Sequence, residues 1–546
     1  MVTDFSIEER RLALQAGLDA ARSGKERNRL GQFATPTALA CDVLAYAREL
    51  MAKGARVRFL DPAIGTGAFF SALLRVFGEA RVEVATGFEI DPHYGKPVRK
   101  LWRGHGLDLK LADFTRPGAQ KRQGGYNLLI CNPPYVRHHH LDRETKARLA
   151  AATKAASGIE LGGLAGLYCY FLGLAHAWME VDCLAGWLIP SEFMDVNYGA
   201  PIRRYLLNDV ELIRVHRFDP SAVQFGDALV SSAVVWLRKR QCPDNHHVEF
   251  SYGGTLGKPD VSRRIKMSAL QGTTKWTGLA THGVRAKGAR DTTDTRDTRE
   301  GGGAGGAGGA GGAGEARDDD VRLAELFDIK RGIVTGDNRF FIMTGEEISE
   351  RGLPMQFFRP ILPGPRYLCC DIIEAGADGI PRIERPLFLL DCRLPEAEVR
   401  DNHPQLWSYL QSGRPRVSNT YLCSRRSPWY VQETRPAPPF LCTYMGRGLE
   451  KRAKPFRFIL NRSQATAANV YLLIYPKPAM RDALEREPEL ALRVWQCLDS
   501  IPSDALVGEG RVYGGGLYKM EPRELGNVGA SAIGRLLLRP GEVASG

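Results

Sequence analysis

The sequence predicts an α/β protein: an open sheet with helices on both faces, followed by a separate mixed α/β domain at the C-terminal side. Three observations carry this expectation. Apolar runs of strand length recur at 57–60, 82–88, 109–112 and 126–131, and each ends in a glycine or polar feature. The first is joined by a glycine turn, Gly65-Thr66-Gly67, to an apolar helical run ending near Phe77, which is a strand–turn–helix unit. A repeated Gly-Gly-Ala tract, Gly301 to Gly314, then divides the chain.

The 546 residues have room for about two to four domains. Hydrophobic residues make up 44%, with no apolar run of transmembrane length, so a globular chain and no membrane partner are expected. The first residues, Met1-Val-Thr-Asp-Phe-Ser, lack a basic segment followed by an apolar one, and no secretory signal is read there. Eleven scattered cysteines without a Cys-x-x-Cys pair argue against zinc and disulfide frameworks. They imply a reducing cytoplasm, buried thiols and Cys131 in the core. The net charge of +12 leans towards a polyanionic partner.

Taken in order, residues 6–22 read as a leading helix with Ile7, Leu12, Leu14 and Leu18 as apolar contacts and no visible chemistry. Thr35 and Pro36 stand where a helix over 37–51 should begin. A hydroxyl beside free backbone N–H groups suits an anion or carboxylate; an ordinary N-cap is the plainer alternative. In Gly65-Thr-Gly67 the glycines let the backbone approach a ligand closely. The third position of a dinucleotide fingerprint is Phe70 rather than Gly or Ala, which argues against a nicotinamide or flavin dinucleotide. Glu89 closes the second strand about 20 residues further on, placed to accept from ribose hydroxyls. Asp113 closes the third, with Phe114 beside it: an acceptor for an adenine amino group and a ring to stack on it.

The fourth strand, Tyr126 to Cys131, ends in Asn132-Pro133-Pro134-Tyr135. Prolines have fixed φ and no N–H, so this turn presents a side-chain amide, backbone carbonyls and an aromatic ring. Open α/β sheets bind ligands at the carboxyl edge of their strands. An acceptor-rich, aromatic-walled site there suits an amino group on a flat ring.

Gly31-Gln-Phe-Ala-Thr-Pro36, Asp61-Pro-Ala-Ile-Gly-Thr-Gly67, Glu89-Ile-Asp91, Asp113-Phe114 and Asn132-Pro-Pro-Tyr135 resemble, in order and spacing, the DNA adenine-N6 methyltransferases of restriction–modification systems. The order of motifs is similar to the TaqI-like gamma class. The resemblance spans about 28–238, and more loosely about 321–530. It implies a class I, Rossmann-like S-adenosylmethionine-dependent methyltransferase sheet and a target-recognition domain. It implies that the cofactor lies across Gly65–Gly67, with Pro36, Asp61 and Ala63 beside it. Thr35 would hold its carboxylate, Glu89 its ribose, and Asp113 with Phe114 its adenine. Asn132 and Pro133 would hold the target amino group. Tyr135 would stack on the flipped adenine, with Phe225 opposite as its match to the family's second aromatic wall; a core Phe is the alternative for 225. Double-stranded DNA is the implied partner, a separately encoded restriction endonuclease would share the site, and a monomer is expected.

The remaining segments bear on the same reading. His138-His139-His140 follows the tetrapeptide; neighbouring side chains diverge, so a covering or phosphate-contacting loop is expected rather than a metal site. Residues 164–181 read as an apolar helix, 185–191 as a buried strand, and 224–236 as a loop with an edge-forming strand. The expected boundaries are 1–27 for the leading helix, 28–285 for the catalytic domain, 286–320 for a flexible linker and 321–546 for target recognition. The last segment interleaves basic and aromatic residues, among them Arg359, Arg366-Tyr367, Arg425-Arg426, Trp429-Tyr430, Tyr444 and Arg457, which suits phosphate contact and base reading. The same tetrapeptide also serves RNA and protein-glutamine methyltransferases, which remain the alternative at this stage.

Overall fold

The computed structural model describes residues 3–116, 125–219, 231–282, 321–447, 454–513 and 517–537. The Gly/Ala tract and Phe225 lie outside the described residues. The chain divides into two compact units near residue 297.

The first unit opens with three helices, α1 (Thr3–Ala20), α2 (Gly24–Leu30) and α3 (Thr37–Leu50). Then come β1 (Val57–Asp61), α4 (Ala68–Phe77), β2 (Val82–Glu89), α5 (Pro92–Leu101), β3 (Leu107–Leu111) and β4 (Tyr126–Cys131). After α6 (Arg143–Ser157) and α7 (Leu167–Ala175) follow β5 (Met179–Pro190), β6 (Glu211–Arg217), β7 (Ser232–Arg238), β8 (His247–Tyr252) and β9 (Val261–Lys266). These strands form one nine-stranded sheet in the order β3-β2-β1-β4-β5-β7-β6-β8-β9. The first five in that order are parallel neighbours. The strand order reverses direction between β1 and β4, which makes a crevice at their carboxyl ends the natural ligand site.

Period-two alternation sorts the central strands onto two cores. Phe59, Leu128 and Ile130 pack with Leu44 and Phe70 of α3 and α4. Leu60, Leu129 and Cys131 pack with Phe171 and Trp178 on the other face. Both faces of β1 and β4 are covered, so these strands read as continuous apolar runs.

Three expectations change. The apolar helix stops at Ala175, and Met179 already pairs with Tyr126 at the start of a long strand; hydrophobicity alone does not separate a buried helix from a buried strand. The strand after residue 231 is interior, hydrogen-bonded to β5 on one side and β6 on the other. Cys131 is buried as expected, but Cys369 and Cys370 are exposed.

The second unit is built on a five-stranded sheet ordered Phe327–Arg331, Tyr471–Pro476, Phe440–Thr443, Phe458–Asn461 and Ile372–Ile373. A four-stranded sheet combines Ile342–Thr344, Leu387–Leu390, Phe358–Leu362 and Thr466–Ala467. The glycine segment near 514–516 lies outside the described residues, between the neighbouring strands Arg511–Tyr513 and Leu517–Lys519. Among the described residues no helix is long and apolar enough to cross a membrane.

Candidate active site

At the carboxyl ends of β3, β2, β1 and β4 lies a cavity of about 350 Å³. Gly65, Ala63, Glu89, Asp113, Phe114 and Asn132 all line it, so four successive strand ends do meet. They meet because the four strands are parallel neighbours, which puts every carboxyl end on one edge.

The glycine turn is built for close approach. Gly65 has φ +55° and a Cβ there would meet nothing within 4 Å, leaving the backbone open to the cavity. Gly67 has φ +88° and precedes α4; a Cβ there would lie 2.6 Å from Trp102 Nε1. The Trp102 indole donates to the Thr66 carbonyl at 3.0 Å. Asp61 is 1% exposed and accepts from the Ala63 N–H at 3.1 Å. Burial pushes its carboxyl up to about 8. It shapes the turn from behind the cavity wall rather than lining it.

Glu89 lines the cavity and accepts from the Asp91 N–H at 2.8 Å. Burial raises its carboxyl to about 7, against the lowering effect of that bond. Asp113 is turned onto its own loop, accepting from the Thr115 N–H at 2.8 Å and its hydroxyl at 2.7 Å. The Phe114 ring is packed against Phe88 at 5.3 Å and Phe171 at 5.4 Å, which fixes its orientation at the wall.

Asn132 is held from the preceding segment of the chain. Its amide nitrogen donates to the Phe33 carbonyl and to Thr35 Oγ1, both at 3.1 Å. The carbonyl can only accept, so the nitrogen must face it and the oxygen must face the other way. That oxygen, Oδ1, is buried and has no hydrogen-bond partner among the described residues. An acceptor shielded from water and left unmade is costly, and calls for an explanation.

Thr35 thus has a partner the sequence did not suggest. Its hydroxyl supports Asn132, it does not line the cavity, and Pro36, in the N-cap place of α3, makes no side-chain cap. Pro133 and Tyr135 also stand behind the wall, which Pro134 lines. Tyr135 is 8% exposed, its N–H donating to the Gly31 carbonyl and its hydroxyl to the Leu188 carbonyl, both at 3.2 Å. Burial pushes its phenol up, so it stays a neutral donor. Gly31 must be glycine: φ is +67° and a Cβ would lie 2.4 Å from the Tyr135 nitrogen. His138–His140 make one 3₁₀ turn, and the residues just beyond, Leu141, Thr145 and Arg148, reach the cavity. Among the described residues no group of three or more His, Cys, Asp or Glu is arranged to hold a metal ion.

Residues not singled out from the sequence also line the cavity, among them Phe33, Gln15, Asp19 and Tyr94. Phe33 stood inside a recognised motif. Gln15 and Asp19 stood in a helix whose pattern carried no ligand signature.

Known proteins resemble this chain in sequence and fold. Residues 96–224 match the Eco57I restriction-modification methylase family, and residues 315–534 match the C-terminal domain of the Type II methyltransferase M.Eco57I. The chain is 27% identical over 511 residues to Type II methyltransferase M.XamI of Xanthomonas campestris pv. amaranthicola, covering 92% of this chain and 85% of that one. It is 21% identical over 529 residues to M.AccI of Acinetobacter calcoaceticus, with the same coverage of 92% and 85%. A similar solved structure is the Type IIL restriction-modification enzyme MmeI in complex with DNA, with TM-score 0.53, 13% identity, and 94% of this chain and 69% of that chain covered; at that identity the likeness is one of fold. Two separate segments of the chain are thus similar to Eco57I-type restriction–modification methylases, and most of its length is homologous to Type II methyltransferases.

Proposed function

We propose that this chain transfers a methyl group from S-adenosylmethionine to the N6 amino group of an adenine extruded from double-stranded DNA, with the motif order of the TaqI-like gamma class. One observation carries the reading: the unpartnered Asn132 Oδ1, in a side chain that lines the same cavity as Gly65 and Glu89.

The residues present fit such a cofactor. Gly65 leaves room at the backbone, Glu89 offers a carboxylate for ribose hydroxyls, and Phe114 with Asp113 offers a ring and an acceptor for adenine. When bound, the cofactor supplies a methyl group on a positively charged sulfur that leaves as a neutral thioether. Asn132 does the chemistry's positioning. An exocyclic amino nitrogen is a poor nucleophile because its lone pair is delocalised into the ring. Asn132 Oδ1 accepts one amino hydrogen, and the carbonyl of Pro133, a residue now behind the wall, would accept the other once the base enters. Such acceptors favour the pyramidal, reactive nitrogen and stabilise the positive charge growing on it. No strong base is required, since the methylated ammonium loses its proton to water. Tyr135, which stands behind the wall, would flank the base once the wall opens to admit it, with Phe225 as the second ring. Extrusion costs a few kcal/mol, and stacking of about 1–3 kcal/mol per ring offsets part of it. The second unit selects the DNA word, and a separately encoded endonuclease would read the same word.

Sequencing with base-modification detection, on DNA from cells expressing the chain, tests this. N6-methyladenine at one recurring word is expected. Unmodified DNA together with methyl incorporation into RNA or into protein glutamine would overturn it.

A further inference from the structure

Helix α1 takes no part in the mechanism above, yet two of its residues face the cavity. We propose that Asp19, seated by Gln15, binds the cationic amino group at the amino-acid end of the cofactor. This rests on the reading of the cavity as an S-adenosylmethionine site.

Gln15 places this turn of helix against the glycine turn. Its Oε1 accepts from the hydroxyl of Thr66, the residue between Gly65 and Gly67. Asp19 follows one helical turn later on the same face. Its Oδ1 accepts from the Tyr94 hydroxyl at 2.7 Å and its Oδ2 from the Gln15 amide at 2.8 Å. Burial and the neighbouring carboxylate push the Tyr94 phenol up, so it remains a donor. Arg27 is the cation beside Asp19, at 3.7 Å. A carboxylate has about four acceptor directions, so these contacts orient Asp19 and leave it capacity.

The charge pattern supports the assignment. Among the described residues three carboxylates line the cavity: Asp19, Glu89 and Asp113. On that reading Asp113 is assigned to the adenine and Glu89 to the ribose, so Asp19 is the carboxylate left to meet an ammonium group. A cation leaving water needs such a counter-charge.

The helix is held firmly enough to position a ligand group. Arg11 is 1% and Glu8 4% exposed, and they form an ion pair at 2.6 Å. Arg11 also donates to Thr66 Oγ1 and Thr37 Oγ1, both at 3.1 Å, while Glu8 accepts from the Ser71 hydroxyl at 2.6 Å. Burying a charge pair away from water is expensive unless every remaining group is satisfied. Here the satisfaction comes from α3, α4 and the glycine turn, so α1 is fastened to all three.

Calorimetry on the full chain with two probes tests the assignment. S-adenosylhomocysteine carries the amino-acid end; 5′-deoxy-5′-methylthioadenosine has the same nucleoside and thioether without it. Asp19→Asn should weaken the first roughly tenfold or more and the second by less than about twofold. Gln15→Ala should show the same selectivity with a smaller loss, and serves as the readout if Asp19→Asn does not fold. Equal losses for both probes, or none for either, overturn the assignment while leaving the cofactor reading intact. A wild-type chain that binds neither probe overturns both.

Discussion

In the first unit Gly65, Glu89, Asp113 and Asn132 come from four different strand ends and line one cavity. In the second unit, residues that look equally purposeful by composition are dispersed into structural duties. Arg359 donates to the carbonyls of Glu433 and Arg435 and faces Asp391. Arg426 donates to the Val334 and Thr335 carbonyls. Arg457 ties Asp371 to the carbonyls of Pro365 and Leu368. Trp429, Tyr430 and Tyr444 are buried. Others of that set face outward, among them Arg366, Tyr367 (79% exposed) and Arg425, whose guanidinium lies 4.0 Å over the ring of Tyr421, itself 68% exposed. The lesson is that spacing tied to a repeating strand–helix unit transmits position, whereas a basic and aromatic composition does not.

The largest effect that would sharpen this contrast is at Asn132. Asn132→Ala should lower methyl transfer by about 10²–10³ or more, with cofactor affinity changed only a few-fold, because the backbone cavity stays. Labelled-methyl incorporation beside calorimetry reads both. Undiminished transfer would mean that convergence of the motifs did not locate the chemistry.

Next comes a paired test in the second unit. Arg457→Ala should cost on the order of 2 kcal/mol by stranding Asp371 and two carbonyls. Tyr421→Ala should change stability by less than about 0.5 kcal/mol and weaken DNA binding instead. Thermal unfolding and a binding titration separate them. The reverse pattern would erase the distinction between braces and outward readers.

The smallest effect is a pH dependence. The Glu89 carboxyl is raised to about 7 in the free chain, so in the ligand-free protein its stabilising share is present below about pH 4.5 and lost as pH rises through 7. Ribose hydroxyls favour the ionised form, so cofactor affinity should rise with pH up to about 7, by as much as roughly tenfold per unit. Glu89→Gln should flatten that slope in calorimetric titrations. An unchanged slope would move the ribose contact to another group.

Much of the first unit was legible in advance. The strands of Val57, Val82 and Tyr126, the glycine turn and the Asn-Pro-Pro-Tyr end all sit where their patterns placed them, because buried parallel strands need uninterrupted apolar runs and tight turns need glycine. Less legible was the join between Ala175 and Met179, where one apolar run supplies both a helix and a strand. The second unit was harder throughout, since its sheets pair segments far apart in the chain, such as Phe327 with Pro476.

The sequence by itself determined which chemical groups are available and, through periodicity, that four of them end strands of one sheet. Only the tertiary structure decided which neighbour each group received. Thr35 went to Asn132, Tyr135 to the Leu188 carbonyl, and Asp19 of the N-terminal helix to the cavity. The physical reason is that periodicity is a local property of the backbone, whereas a hydrogen-bond partner or a cavity wall depends on segments brought together by packing, and no short stretch of chain encodes that meeting.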